Sequence, residues 1–180
     1  AEDDSGQAYL RAADWARAYA AESRRRMLTA AVGVIADVLG CAADWETLLN
    51  TDHNHVVLEQ RGGGQFWVHR KGANQAAAGL ANVIPGSMAT PTYHVEGRGE
   101  SAALCSSSHG AGRRLSRGAA RARIRRKDLE RQLADVWVDP RTLPRLIDEA
   151  PAAYKDIDAV MRSQRDLVRI VRRLRPVLSY

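Results

Sequence analysis

Apolar positions recur at helical intervals over the first forty residues and at shorter, mixed intervals after them. "SGQAYLRAADWARAYAAESRRRMLTAAVGVIADVLG" reads as one long helix, with Leu28, Val32, Ile35 and Leu39 marking its expected buried face. Ser5 is expected to cap its start and Gly40 to close it, because the left-handed residue after a helix suits glycine. "HVVLEQ" and "QFWVHR" then flank "RGGG", which predicts a hairpin around a glycine turn. "TYHVEG" and "SAALCS" predict two short strands on either side of Gly97 to Gly99. From Arg113 to about Arg126 the pattern is helical, and "KDLERQLADV" predicts a second helix. "DPRTLPRLIDEAP" predicts a turn and a short helix between Pro140 and Pro151, and "DIDAVMRSQ" another helix. "RDLVRIVRRLRPVLSY", rich in β-branched residues and interrupted by Pro176, is read as strand. Helices mixed with hairpins, without a strand–helix alternation, predict an α+β fold.

Length and composition narrow this picture. A chain of 180 residues suits one domain, and 45% hydrophobic residues suffice for a real core. No apolar run approaches the roughly 18 residues of a membrane span, and no secretory segment opens the chain. Cys41 and Cys105 lack metal-ligand spacing, which points to a reducing cytoplasm. The net charge is +6, and Lys71, Lys127 and Lys155 are the only lysines among 27 basic residues. Arginine's planar fork matches phosphate oxygens, so a polyanionic partner is one explanation. A GC-rich coding sequence, which enriches Ala and Arg together, is the other.

Three stretches could carry chemistry. In "SSSHGAGR", residues 106–113, Gly110 and Gly112 let backbone N–H groups approach an anion closely, and a helix is expected to start just beyond. The turn is either a phosphate cradle with His109 at its mouth or an ordinary turn. Arg113, Arg117, Arg121 and Arg125, four apart, stack along one helical face as a like-charged stripe. Such a stripe needs an anion against it or carboxylates elsewhere in the fold. In "TDHNHVVLE", His53 and His55 flank Asn54; imidazole suits a transition metal, and at most one of the two is expected to face it. The alternative is a hydrogen-bonding pair at a strand entry. "VHRKGA" (68–73), "IPGSMATPT" (84–92) and Tyr154 in "DEAPAAYKDID" could line a nucleotide pocket or be plain loops and packing.

Taken together, "GQAYL", "HN" at 53–54, "HRKGA" at 69–73, "PGSM" at 85–88, "SHGAGR" at 108–113, "SR" at 116–117 and "AYKDID" at 153–158 resemble the RtcB family of RNA ligases, over nearly the whole chain. The resemblance implies the C-terminal part of an RtcB-like α+β fold, a single partial domain over 1–180, and a ligase dependent on GTP and Mn²⁺. Such an enzyme joins an RNA 3′-phosphate, or a 2′,3′-cyclic phosphate after its hydrolysis, to a 5′-hydroxyl. Carried over residue by residue, His109 is the nucleophile that takes the guanylyl group and His53 is a metal ligand. Asn54 contacts the nucleotide, Pro85, Gly86, Ser87, Met88 and Thr92 line its pocket, and the backbone of His109, Gly110, Ala111 and Gly112 cradles its phosphate. Tyr154 lies against guanine, and the arginine stripe faces RNA or pyrophosphate. The pattern departs from the family at Ala89 and Pro91–Thr92. The family's further metal ligands, an Asp-x-x-Cys pair and two histidines, and a guanine-contacting lysine have no counterpart in these residues. The expectation is therefore a fragment that is inactive alone. A paralogue acting on rRNA or on DNA 3′-phosphate ends, or a non-catalytic basic RNA-binding remnant, would carry many of the same signatures.

Overall fold

The computed structural model describes residues 3–179, and the fold is α+β. The chain divides between Asn74 and Gln75 into two compact units. The first opens with α1 (Asp4–Leu39), which is capped by Asp3 and not by Ser5. The Asp3 carboxylate accepts the Gly6 N–H at 2.7 Å, and its charge also suits the positive end of the helix. Gly40 closes α1 at φ 63°, as its position predicts.

The expected buried face is not buried. Ile35 is 53% exposed and Leu39 68% exposed, and no described residue of α1 is fully buried. The half-buried stripe lies earlier, on Leu10, Ala13, Arg17, Ala20 and Arg24, spaced by three and four. Small side chains and arginine stems make this seam, so hydrophobicity alone points to the wrong turns of the helix. Side chains there hold the segment that follows: Arg24 donates to Asn50 at 2.8 Å and to Asp52 at 2.7 Å, and Asn50 donates to the Ala21 carbonyl at 3.1 Å.

The predicted hairpin forms from β1 (Asn54–Arg61) and β2 (Gly64–Lys71), antiparallel, with Asn54 opposite Lys71 and Arg61 opposite Gly64. Its two-residue turn, Gly62–Gly63, has both φ angles positive, which matches the twist of the flanking strands.

After β3 (Ala73–Gln75), the second unit is built on β4 (Ala81–Pro85) and β5 (Thr92–Gly97), joined by a turn over 86–91. Then come β6 (Ser106–Ser108), α2 (Arg117–Arg123), α3 (Arg126–Gln132), β7 (Trp137–Val138), α4 (Ile157–Ser163), β8 (Val168–Leu174) and β9 (Leu178–Ser179). β4, β5 and β8 form an antiparallel sheet in that order, so the C-terminal segment is strand, as its β-branched residues predict.

"SAALCS" is not a strand. Glu100 accepts the Ala102 N–H and starts a 3₁₀ turn over Ser101–Ala103; Leu104 and Cys105 then take φ of 51° and 45° before β6 begins. Nor is 113–126 one helix. Ser116 caps α2 by accepting the Ala119 N–H at 3.1 Å, and the chain breaks again at Ile124–Arg125. Arg114 and Leu115 are instead tied through their N–H groups to the Ala153 carbonyl. Between Pro140 and Pro151, 3₁₀ turns at Leu143–Arg145 and Ile147–Glu149 replace the expected short helix.

Two apolar clusters support this unit. Ile84, Tyr93, Val95, Ala111, Ile157, Met161 and Val168 pack under the sheet. Ala120, Ile124, Leu129, Leu133, Leu143, Ala150 and Ala153 pack under α2 and α3. Tyr154 touches both.

Candidate functional site

In the second unit, β6 ends at Ser108 and leaves half-buried His109 at the strand exit. Gln164, itself buried, holds that exit: it accepts the Ser108 N–H at 3.0 Å and donates to the Ser108 hydroxyl at 2.9 Å. The turn that follows docks on the end of β4. Ala111, buried in the core, donates its N–H to the Pro85 carbonyl at 3.1 Å. The loop 86–91 is tight: a β-carbon on Gly86 would stand 2.3 Å from Thr90 Oγ1, so only glycine fits. Thr90 and Ser87 bond through their hydroxyls at 2.9 Å, and Met88 packs on the α2–α3 cluster. Pro85–Met88, Thr92 and His109–Gly112, dispersed in sequence, are thus joined by one backbone bond.

Gly112 takes φ 71°, a left-handed turn that glycine adopts without strain, and its carbonyl accepts the Lys155 N–H at 2.9 Å. Among the described residues, neither the Gly110 N–H nor the Gly112 N–H meets a protein acceptor. Two open amides on one glycine turn suit an oxyanion.

Arg113 does not point outward. Its Nε donates to the Leu115 carbonyl at 3.0 Å, its Nη1 to Glu149 at 3.0 Å and to the Tyr154 hydroxyl at 3.1 Å, and its Nη2 to the Asp148 carbonyl. Its guanidinium also lies 4.9 Å from the centre of the Tyr154 ring. The Tyr154 hydroxyl donates to Glu149; burial, then that hydrogen bond, push the phenol above its ordinary range.

The four arginines do not share a helix face either. Arg117 and Arg121 reach Asp148 and Glu149, whereas Arg125 precedes α3 and bonds Asp128 at 2.9 Å. The repulsion expected of the stripe is answered inside the fold, without RNA or pyrophosphate. Burial raises the Asp148 carboxyl, but its bond to Arg121 and its other partners outweigh this and carry it below the ordinary range.

The first unit carries His53 and Asn54. The Asn54 side chain accepts the Gly72 N–H at 2.9 Å, and the His53 carbonyl accepts the Ala73 N–H at 3.2 Å. A cleft of about 470 Å³ lies here, lined by Arg17, Arg24, Asp52, Lys71 and both His53 and His55. Both histidines line this one cleft, as positions two apart along an extended segment share a side. His55 Nε2 lies 3.4 Å from Arg70 Nη1; burial, then that cation, hold the ring's pKa below its ordinary value. Among the described residues, no group of three or more His, Cys, Asp or Glu is placed to hold a metal. Among them, too, no helix is long and apolar enough to cross a membrane.

Asp148, Glu149 and Gln164 were not foreseen from the sequence. Only Lys155 left a signal, inside "AYKDID".

The sequence matches, over residues 1–180, the family described as tRNA-splicing ligase RtcB. It is 40% identical over 175 residues to an RNA-splicing ligase RtcB of Escherichia coli, covering 94% of this chain and 42% of that protein. A Mycobacterium tuberculosis RNA-splicing ligase RtcB is 35% identical over 193 residues, 96% of this chain and 44% of the relative. A Methanopyrus kandleri tRNA-splicing ligase RtcB is 32% identical over 206 residues, 97% of this chain and 21% of the relative. The chain therefore spans about two-fifths of the length of the bacterial relatives.

Proposed function

The chain belongs to the RtcB family, and on that premise we propose that it supplies the guanylyl-transfer residues of a GTP- and manganese-dependent RNA ligase. The substrates are an RNA 3′-phosphate, or a 2′,3′-cyclic phosphate after hydrolysis, and a 5′-hydroxyl end. The reading is supported above all by one arrangement: His109 at a strand exit, followed by a turn with two open amides that docks on the end of β4.

In this reading a nitrogen of the His109 imidazole attacks the α-phosphorus of GTP. The bond from that phosphorus to the α–β bridging oxygen breaks, pyrophosphate leaves, and the ring gives up its proton. Covalent capture divides one hard displacement into two easier ones. The Gly110 and Gly112 N–H groups hold the phosphoryl oxygens. Pro85–Met88 and Thr92 wall the nucleotide, Asn54 contacts it, and Tyr154 lies beside guanine. The GMP then passes to the RNA 3′-phosphate, and the 5′-hydroxyl displaces it. Manganese, when bound, supplies neutralisation of charge on the phosphoryl oxygens. His53 is one ligand for it. One imidazole does not make a metal site, so the other donors are assigned to residues beyond these 180.

The test is labelling with α-labelled GTP and Mn²⁺, of this chain alone and of the chain combined with a polypeptide carrying the rest of an RtcB protein. Label on His109 is expected in the combination and is abolished by His109→Ala. A co-purifying combination that takes no label overturns the reading; robust label on the chain alone overturns the shared site.

A further inference from the structure

The turn over 109–112 has open amides, yet the basic residue that follows it in sequence is already engaged. Every nitrogen of Arg113 donates to a protein acceptor: Leu115, Glu149, Tyr154 and Asp148. Arg117 and Arg121 are likewise committed to Asp148 and Glu149. An anion seated on the glycine turn would then be met by amides only, unless another cation stands nearby.

Lys155 is that cation. Its backbone N–H donates to the Gly112 carbonyl at 2.9 Å, which fixes the start of its side chain against the turn. Its Nζ lies 4.0 Å from where a β-carbon on Gly112 would be, so the ammonium sits over the face that glycine leaves bare. The side chain is exposed, and among the described residues no carboxylate lies within ion-pair distance of it. The neighbouring acids are engaged elsewhere, Asp156 with Arg162 and Asp158 with Tyr93 and Arg173.

We propose that Lys155 is a substrate-contacting residue of this site, its ammonium closing over a phosphate group held by the Gly110 and Gly112 N–H groups. The proposal rests on the reading of the turn as a phosphate cradle and adds the charge that the cradle otherwise lacks. Arg113 is by contrast a positioning residue, which fixes the end of the turn through Glu149 and Tyr154. Lysine suits the role because a point charge on a flexible stem can follow a phosphate, whereas the arginine fork is locked.

The phosphate could belong to the nucleotide or to the RNA end, and the probes separate the two. The intact chain, ¹⁵N-labelled, is titrated at low salt with inorganic pyrophosphate, with a short RNA bearing a 3′-phosphate, and with the same RNA bearing a 3′-hydroxyl. The Gly110 and Gly112 amide signals are expected to shift most. Lys155→Met is expected to weaken binding of pyrophosphate, of the 3′-phosphate RNA relative to its 3′-hydroxyl counterpart, or of both, by about tenfold. Lys155→Arg should keep most of the affinity. Loss confined to pyrophosphate assigns the nucleotide's phosphates, and loss confined to the 3′-phosphate RNA assigns the RNA end. Unchanged affinity for both probes in Lys155→Met, or shifts that fall away from Gly110 and Gly112, overturns the proposal. Failure of His109 to take label while the Lys155 effect persists would sink the ligase reading and leave this site standing.

Discussion

Each unit contains a network of arginines and carboxylates, and the two differ in whether the cation is buried with its anion. In the first, the Arg70 side chain is 2% exposed; it bonds Glu59 at 2.6 Å, and Arg61 donates to the same carboxylate. In the second, the Asp148 side chain is 7% exposed, whereas those of its partners Arg117 and Arg121 are 71% and 67% exposed. The hairpin buries the cation together with its carboxylate, Glu59 being 10% exposed, whereas the second unit buries an anion and leaves its cations in water. A buried guanidinium that loses its carboxylate cannot escape the cost by shedding its proton. An exposed one that loses its partner is hydrated. Equal counts of ion pairs therefore imply very different energetics.

The largest effect should follow from removing Glu59. Glu59→Ala removes the carboxylate that bonds both buried Arg70 and Arg61, and is expected to cost about 3–5 kcal/mol in chemical denaturation. Replacing both partners, Glu59→Leu with Arg70→Met, should recover most of that, because the fully buried cation goes with its carboxylate and only the part-exposed Arg61 loses a partner. A double variant as unstable as the single one would show that the hairpin needs the ions themselves.

Arg113 is the intermediate case, three-quarters buried and surrounded by acceptors. Arg113→Met is expected to cost about 1–3 kcal/mol, through the donors it takes from the Leu115 and Asp148 carbonyls and from Glu149. The amide signals of Gly110 and Gly112 should broaden in the same variant. A stability loss without change in the turn would remove Arg113 from the positioning role.

For Arg117→Ala and Arg121→Ala the expected cost is below about 1 kcal/mol each, because exposed pairs gain little and each leaves Asp148 a remaining partner. If either cost as much as Arg113→Met, the distinction between buried anion and buried cation would fail.

How legible this was from residues alone differs by element. The hairpin was readable because Gly62–Gly63 and its flanking β-rich arms are local signals. Gly40 and the strand at Val168–Leu174 were readable for the same reason. The face of α1 was not, since beyond Leu10 its seam is alanine and arginine, which carry little hydrophobic signature. The arginine stripe misled because Ser116 restarts the helix and removes Arg113 from it. The glycine turn and the loop at Pro85–Thr92 stood out as motifs, but the Ala111–Pro85 bond that joins them is long-range. Gln164 and the Asp148–Glu149 pair left no trace, because nothing in a sequence says which distant amide or carboxylate a backbone will meet.

The smallest effect concerns titration and not stability. Tyr154 and Tyr93 both have phenols raised above 10, in each case by burial first and a carboxylate second: Glu149 for Tyr154 and Asp158 for Tyr93. A phenol raised in the folded state ionises first in the unfolded chain, so its contribution is intact below about pH 10 and is lost as pH rises above that. Glu149→Gln removes the negative charge but leaves an oxygen to accept the phenol hydrogen bond. Tyr154 should then titrate lower, though burial still holds it up, while Tyr93 should not move. Ring-carbon NMR of specifically labelled tyrosine follows both at once. A Tyr154 midpoint that stays in place would mean that burial alone sets it. A shift in Tyr93 as well would mean that the substitution loosens the whole unit, and that Arg113, Glu149 and Tyr154 are not a separable group.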